Sequence, residues 1–194
     1  NYITYCYIGE CYERLQNHRE ALKYFQKGIT EERNYPDAWL GKAIALDHLN
    51  NTLEALECVK KAISINDAEP DYWFTIAELQ EKLGAVSEAL SSLQQAVSLD
   101  KSDLDLTISY IQMAGRNLGY KDLKNVIENS LELFPLHEKL LLLKGGYCIQ
   151  HGQEKEGYQC IQQALLINPD GDKYLFEHFP EVKENALLLK LIRK

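Results

Sequence analysis

The sequence has few of the features that mark nucleic-acid-binding or membrane proteins. Positive charge is scarce, because 21 Lys and Arg residues face 29 Asp and Glu residues and leave a net charge of −8. Such a chain lacks the basic face that displaces counterions from duplex nucleic acid or adheres to an anionic bilayer. The longest apolar runs, ALLLKLI and KLLLLKGG, are too short to span a bilayer. We therefore expect no nucleic-acid partner and no membrane partner.

Cysteine is sparse, and its placement argues against a disulfide framework. The chain has five cysteines, an odd number, and no CxxC pair. Free, mostly buried thiols are typical of a reducing compartment. No signal peptide is visible in the sequence. These observations favour a cytoplasmic protein.

Catalytic and cofactor-binding motifs are also missing. GxGxxG, GxxxxGK[ST], HExxH and GxSxG do not occur. None of the five histidines has a second histidine, a cysteine or a carboxylate at a convincing metal-ligand spacing. The carboxylate pairs Glu10/Glu13 and Glu78/Glu81 have the i, i+3 spacing that usually forms a solvated helix face. We therefore expect no enzyme, no catalytic residue, no metal site and no cofactor.

What the sequence does contain is an internal repeat. Trp39 and Trp73 each follow a proline by three residues, and they lie 34 residues apart. The same period divides the chain, without insertion, into units that begin at residues 2, 36, 70, 104 and 138. Small residues dominate positions 8, 20 and 27 of these units, and a large apolar residue fills position 24. A period of this length is typical of stacked repeat proteins.

Each unit is predicted to be a helical hairpin. Positions 4, 7, 8 and 11 have the spacing of one helix face, and positions 20, 24 and 27 have that of a second. One hairpin cannot bury its apolar face alone, so neighbouring hairpins must stack, and we expect both tryptophans to be packing residues. Turn-forming residues separate the two helices: Gln16-Asn17, Asn50-Asn51, Gly84, Gly119 and Gly152.

The residue types that recur at these positions resemble those of the tetratricopeptide repeat (TPR), a helix–turn–helix unit of 34 residues. The fourth unit is the most degenerate, and the likeness spans residues 2–171. The resemblance implies an all-α fold, a right-handed α-solenoid of five hairpins. The stretches WLGKAIAL and YLFEHFPEVKENALLLKLI are similar to bacterial TPR proteins of unassigned role. The first unit matches most fully, through Tyr5, Ile8, Gly9, Tyr12, Ala21 and Phe25.

The two ends of the array differ. We expect a TPR array over residues 1–171 and C-terminal capping helices over residues 172–194, because a solenoid end needs a polar cover. Asp172–His178 can continue as a helix until Pro180 interrupts it, and Glu181–Arg193 can form a last helix. The first unit has no such cover, so we expect further repeats before it or self-association through it. Its uncovered residues are Tyr2, Tyr5 and Ile8.

The resemblance also implies a binding surface, because in TPR proteins the face opposite the packing columns of each first helix lines a concave peptide groove. In the first three units this face carries five acids against two bases, which predicts a partner segment that is apolar with basic residues. Cys6, Glu10 and Gly41 stand where some TPR proteins hold the C-terminal carboxylate of a chaperone, so that partner is not expected. The predicted groove residues are Tyr7, Glu10, Glu13, Arg14, Leu40, Ile44, Asp47, Phe74, Glu78 and Glu81.

A non-catalytic protein–protein interaction scaffold is therefore the leading hypothesis for function. The alternative is a regulatory or recruiting segment of a larger enzyme whose catalytic domain lies outside this sequence. A third reading of the acidic face leaves it merely solvated or covered by an adjacent segment of the chain.

Overall fold

The computed structural model describes residues 1–185 and 188–189. In these residues the chain forms α-helices and short 3₁₀ turns and no strand, and the expected all-α class is confirmed. None of the described helices is long and apolar enough to cross a bilayer. The α-helices are α1 (Tyr2–Arg14), α2 (His18–Glu31), α3 (Pro36–His48), α4 (Thr52–Ile65), α5 (Pro70–Lys82), α6 (Val86–Leu99), α7 (Leu104–Asn117), α8 (Tyr120–Leu133), α9 (Glu138–Gln150), α10 (Glu154–Ile167) and α11 (Asp172–His178).

The turn inside each hairpin is made at position 15 of the repeat. The backbone is left-handed there in four repeats, with φ of 58°, 64°, 78° and 75° at Gln16, Asn50, Gly84 and Gly152. Glycine and asparagine adopt this conformation at little cost, which explains their recurrence at the column. The fourth repeat differs, since Leu118 occupies the position and Gly119 is an extended residue before α8, with φ −66° and ψ 154°.

The connections between repeats share a turn that is closed by a hydrogen bond from the backbone to a side chain. The residue that ends the second helix is extended and accepts a hydrogen bond from the backbone N–H two residues later. Asn66, Asp100 and Asn168 do this with Ala68, Ser102 and Asp170, at 3.1, 2.9 and 3.2 Å. Such local side-chain bonds favour a turn over continued helix, and the next helix then begins at proline in α3 and α5.

Trp39 and Trp73 lie in the same setting in successive repeats. Their half-buried rings pack against the cores that the surrounding helices form. Each indole N–H also donates a hydrogen bond of 2.8 Å to a carbonyl of the preceding loop, that of Arg33 for Trp39 and that of Asp67 for Trp73. The tryptophan column therefore fills space and fastens the loop to the helix, as its predicted packing role requires.

The chain folds as two compact units, Asn1–Leu106 and Thr107–Lys194. In the first unit, α1 packs on α2, α3 on α4 and α5 on α6, and these hairpins also contact one another. Phe25 is buried between two glycines, because a β-carbon at Gly9 or Gly41 would come within 2.9 or 2.2 Å of its ring. Glycine in α1 and α3 thus makes room for one aromatic side chain from α2.

In the second unit, the segment that follows α10 folds back onto α9. Phe179 is buried against Gly146, where a β-carbon would come within 2.3 Å of its ring, and it meets Tyr147 edge to face at 4.9 Å. Pro180 begins a 3₁₀ turn, Pro180–Glu184, so the predicted helix does not start at Glu181. The rest of that predicted helix falls largely on residues 186–187 and 190–194, which lie outside the described residues.

Candidate peptide-binding groove

A cavity of about 310 Å³ opens on the first unit, where α1 and α3 lie side by side. Its lining brings together five of the ten residues that the sequence assigns to the groove. Three of them are charged and two are apolar, so the cavity has an apolar wall with a charged edge. These five residues are Glu10, Glu13, Arg14, Leu40 and Ile44.

The lining also includes three residues that the list of predicted groove residues omits. Phe25 belongs to a packing column, but the absence of a side chain at Gly41 leaves its ring as part of the cavity wall. The sequence carries a signal for this opening, because Gly41 stands at position 6 of its repeat, where the neighbouring repeats have Tyr7 and Thr75. Asp37, an acid in the first turn of α3 where it also suits the helix dipole, lines the cavity as well.

Asp37 gives the cavity a carboxylate that is held in place. It accepts a hydrogen bond from the hydroxyl of Tyr72 in the next repeat. Burial, together with this hydrogen bond, raises the pKa of Tyr72. Burial and the nearby Asp37 carboxylate likewise raise the pKa of Tyr35 to about 12. Both phenols therefore stay protonated at neutral pH.

The other five predicted residues do not line this cavity. The Tyr7 ring is 62% exposed on α1. On α5, the Glu78 side chain is exposed, and those of Phe74 and Glu81 are half-buried. Asp47 is half-buried at the end of α3. The structure therefore gathers half of the predicted set in a cavity on the first two repeats and leaves the other half outside it, on α1, at the end of α3 and on α5.

Two of the predicted groove acids contact side chains of the next repeat. Asp47, at position 12 of the second repeat, pairs with Lys82 of the third and accepts a hydrogen bond of 3.2 Å from Thr52. Glu13, the equivalent residue of the first repeat, contacts His18 at 2.9 Å and His48 of the second repeat at 3.9 Å. The Lys82 ammonium offsets part of the negative charge that the sequence places on this face.

The pKa of Glu78 is raised by its surroundings on this face. Its pKa lies above the ordinary value for a glutamate, mainly because neighbouring groups reduce the hydration of the carboxylate although the residue as a whole is exposed, and further because Asp47 and Glu81 are close. The Lys82 ammonium acts in the opposite direction. A cation brought to this face by a ligand would relieve the same repulsion.

The corresponding face of the fifth repeat is not available as a groove. Leu142 and Leu143 on α9 are only 1% and 0% exposed, and Gly146 is covered by the ring of Phe179. In the second unit, therefore, a segment of the chain itself covers the face that corresponds to the groove.

The structure brings together three potential metal-ligating side chains that the spacing along the sequence did not indicate. Glu13, His18 and His48 each place one ligand atom within 4.8 Å of the other two. The imidazole rings of the two histidines stack, with centroids 4.3 Å apart. Spacing along the sequence could not reveal this group, because its members come from two different repeats.

Comparison with protein families and solved structures agrees with the helical-hairpin architecture. A family profile described as Tetratricopeptide repeat matches residues 14–83, and a second profile of the same description matches residues 70–103. No curated protein sequence matches the chain.

Three solved structures illustrate the similarity of fold. MamA 41-end from Desulfovibrio magneticus RS-1 has a TM-score of 0.70 and 16% identity, with 88% of this chain and 97% of that one covered. YrrB, described as a TPR protein with an unusual peptide-binding site, has a TM-score of 0.68 and 18% identity, with 93% and 92% covered. The first TPR of Spaghetti (RPAP3), bound to the HSP90 peptide SRMEEVD, has a TM-score of 0.56 and 16% identity, with 58% and 90% covered.

Proposed function

We propose that this chain, which matches tetratricopeptide-repeat profiles over residues 14–103, is a protein-interaction scaffold, and that the acidic face of its first three repeats binds a segment that is apolar and basic. The observation that carries the proposal is the cavity on the first unit. It places the carboxylates of Glu10, Glu13 and Asp37 around an apolar wall that includes Leu40 and Ile44. An apolar side chain with a neighbouring Lys or Arg complements that arrangement.

Apolar contacts should supply most of the affinity. Leu40 and Ile44 are half-buried beside the cavity, and Phe74 continues the apolar surface on α5 as a half-buried ring. In protein interfaces a few central apolar or aromatic anchors carry most of the binding free energy, while the polar rim mainly governs the rate of encounter. We therefore assign the affinity to these side chains and the choice of ligand charge to the acids.

The acids should also reject acidic ligands. The RPAP3 neighbour binds the acidic peptide SRMEEVD. In this chain the expected carboxylate-clamp positions carry Cys6, Glu10 and Gly41. Burial, and then the nearby Glu10 and Asp37 carboxylates, raise the pKa of Cys6 to about 11, so its thiol is neutral. No positive charge stands at these three positions, and an acidic peptide would meet repulsion there.

The test is a peptide array sorted by charge, followed by kinetic titration of the best binders with SRMEEVD as the acidic reference. Phe74→Ala should speed dissociation roughly tenfold, the effect of losing about 1.4 kcal/mol at one anchor. Glu78→Lys should instead slow association, because it reverses a charge at the rim. Glu57→Lys is the matched control, since Glu57 lies on α4 with a side chain 70% exposed and the net charge changes equally.

Two outcomes would refute the proposal. One is an array whose strongest binders are acidic. The other is a Glu57→Lys effect as large as that of Glu78→Lys, which would assign the rate to net charge and not to the groove. Circular dichroism of each variant establishes that the fold is intact before the kinetics are compared.

We also propose that the open face of α1 supports self-association. Ile3 is 36% exposed on this helix, and Tyr2, Tyr5 and Ile8 are only partly buried. Covering such a face removes apolar surface from water at about 25 cal/mol per Å², before the entropic cost of association.

Light scattering over a range of concentrations tests the self-association. We expect dimers whose fraction rises with concentration and falls in Ile3→Glu. Leu166→Glu is the control, because Leu166 on α10 is an equally apolar residue with 80% exposure. A strict monomer at high concentration, or equal effects of the two substitutions, would exclude α1 as the contact.

A further inference from the structure

The end of the first hairpin gathers three side chains that can ligate a metal. Glu13 lies in the last turn of α1, His18 begins α2, and His48 ends α3. One carboxylate oxygen of Glu13 lies 2.9 Å from Nδ1 of His18 and 3.9 Å from Nε2 of His48. The side chains of Glu13 and His18 are only 15% and 23% exposed, whereas that of His48 is 53% exposed.

We propose that Glu13, His18 and His48 form a binding site for one divalent transition-metal ion, of which Zn²⁺ is the best fit. Zinc binds imidazole nitrogen and carboxylate oxygen at about 2.0–2.2 Å, and in a tetrahedral site these donors lie roughly 3.3 Å apart. The two shortest contacts of the cluster bracket that separation, and all three ligand atoms fall within 4.8 Å of one another. A rotation of the exposed His48 side chain would bring the third donor into place.

The donor set selects the class of ion. Two imidazoles and one carboxylate suit zinc, copper and nickel, whereas Ca²⁺ and Mg²⁺ take sets made of oxygen atoms. Three protein ligands leave the fourth position of a tetrahedral ion open to water.

One oxygen of the carboxylate is also unused. Among the described residues, Oε1 of Glu13 is buried and has no hydrogen-bond partner. Burying a carboxylate oxygen without a partner is costly, and an ion bound by Glu13 would compensate for that cost.

The equivalent positions of the first and second repeats support the same assignment. In the second repeat the equivalent carboxylate, Asp47, has a permanent cation beside it, the Lys82 ammonium, and accepts a hydrogen bond from Thr52. In the first repeat the same two positions are held by His48 and His18, and these are the ion-pair partners of Glu13 among the described residues. The two repeat positions that hold Lys82 and Thr52 beside Asp47 hold two potential metal ligands, the histidines, beside Glu13.

Titration calorimetry with Zn²⁺ alone tests the proposal on the unmodified chain. We expect saturable binding of one ion per chain and a melting temperature that rises with zinc concentration, because a ligand that binds only the folded state stabilises it. Mg²⁺ should produce neither effect. Glu13→Gln and His48→Ala should each weaken zinc binding by roughly tenfold or more, since losses of that size follow even from removing the groups that support a ligand.

Two control variants separate this site from adventitious binding. His151→Ala removes an exposed histidine of the second unit, and Cys11→Ser removes the exposed thiol of α1. Neither should change the affinity for zinc. Co²⁺ bound at the site should show the visible bands of a tetrahedral ion without the charge-transfer absorption of a thiolate ligand.

The proposal is overturned if no ion binds saturably, or if binding survives both Glu13→Gln and His48→Ala. Loss of binding in Cys11→Ser alone would assign the ion to the thiol and would equally overturn it. Because the His48 side chain is largely exposed, His48→Ala should retain the helical circular dichroism of the parent chain, and lost binding can then be read as a lost ligand.

Discussion

Trp39 and Trp73 show how one side chain can serve both the core and a loop. Their rings pack against the helical cores, and their indole N–H groups hold the carbonyl oxygens of Arg33 and Asp67. A phenylalanine could fill much of the same space, but it could not donate the hydrogen bond. The recurrence of tryptophan after proline thus has a physical cause in each repeat.

Replacing Trp73 with alanine tests this double role. We expect Trp73→Ala to lower the free energy of unfolding by about 3 kcal/mol, the lower end of the range for aromatic truncation, because the ring is only partly buried. Trp73→Phe should cost less, since it keeps the ring and loses the bond to Asp67. Chemical denaturation measures both values, and an unchanged midpoint for Trp73→Ala would contradict a packing role.

Two glutamates should respond to pH in opposite directions. The pKa of Glu156 lies below the ordinary 4.5, because Lys124 donates a hydrogen bond to it and Lys144 contributes further. Charged Glu156 therefore stabilises the fold at neutral pH, and this contribution disappears as the pH falls through the glutamate range. The pKa of Glu78 lies above 4.5, chiefly through burial, so its charged form opposes folding at neutral pH.

Stability curves of two matched variants measure this contrast. We expect Glu156→Gln to be destabilised at pH 7 and to approach the parent chain as the pH falls below about 4.5, the model-peptide range for a glutamate. Glu78→Gln should be slightly more stable than the parent at pH 7, and this gain should shrink over the same range. Destabilisation by Glu78→Gln at pH 7 would show that its carboxylate is well compensated and would weaken the case for a groove acid.

Helix α9 is covered by a segment that departs from the repeat period. The segment needs no complete hairpin, because Phe179 alone fills the space above Gly146 and contacts the ring of Tyr147. Leu175 and Val182, on either side of it, are also buried. A short helix and a 3₁₀ turn thus cover α9.

Phe179→Ala tests whether that cover holds the second unit together. The ring is 2% exposed, so we expect a loss of about 3–5 kcal/mol in the free energy of unfolding. The neighbouring Phe176→Ala is the control, because Phe176 is only half-buried and should cost less. If the two substitutions destabilise the protein equally, the segment is not anchored through Phe179.

For the molecule as a whole, the 34-residue period predicted the number, order and approximate ends of the paired helices. It succeeded because the same columns recur, so a weak signal in one repeat is supported by the next. The period offers no guidance beyond residue 171, where a 3₁₀ turn over Pro180–Glu184 replaces the expected start of a helix at Glu181. The division into an array over residues 1–171 and a cap over residues 172–194 stays a prediction.

The sequence predicted the residues of the candidate groove less completely than it predicted the helices. Five of the predicted groove residues line one cavity, because helix periodicity places them on one face. Phe25 was missed because its place in the cavity depends on a glycine in another helix, and the group of Glu13, His18 and His48 was missed because it joins two repeats. Such contacts depend on how hairpins stack, which the pattern of one hairpin does not contain.

The salt dependence of the association rate tests the acidic groove most directly. For a basic, apolar peptide we expect the association rate of the parent chain to fall roughly tenfold between low and high salt, because screening weakens electrostatic steering. Glu78→Lys should associate more slowly at low salt and show a shallower salt dependence. A rate that does not change with salt, or faster association of Glu78→Lys with the same peptide, would contradict the groove assignment and leave the acidic face as solvated surface.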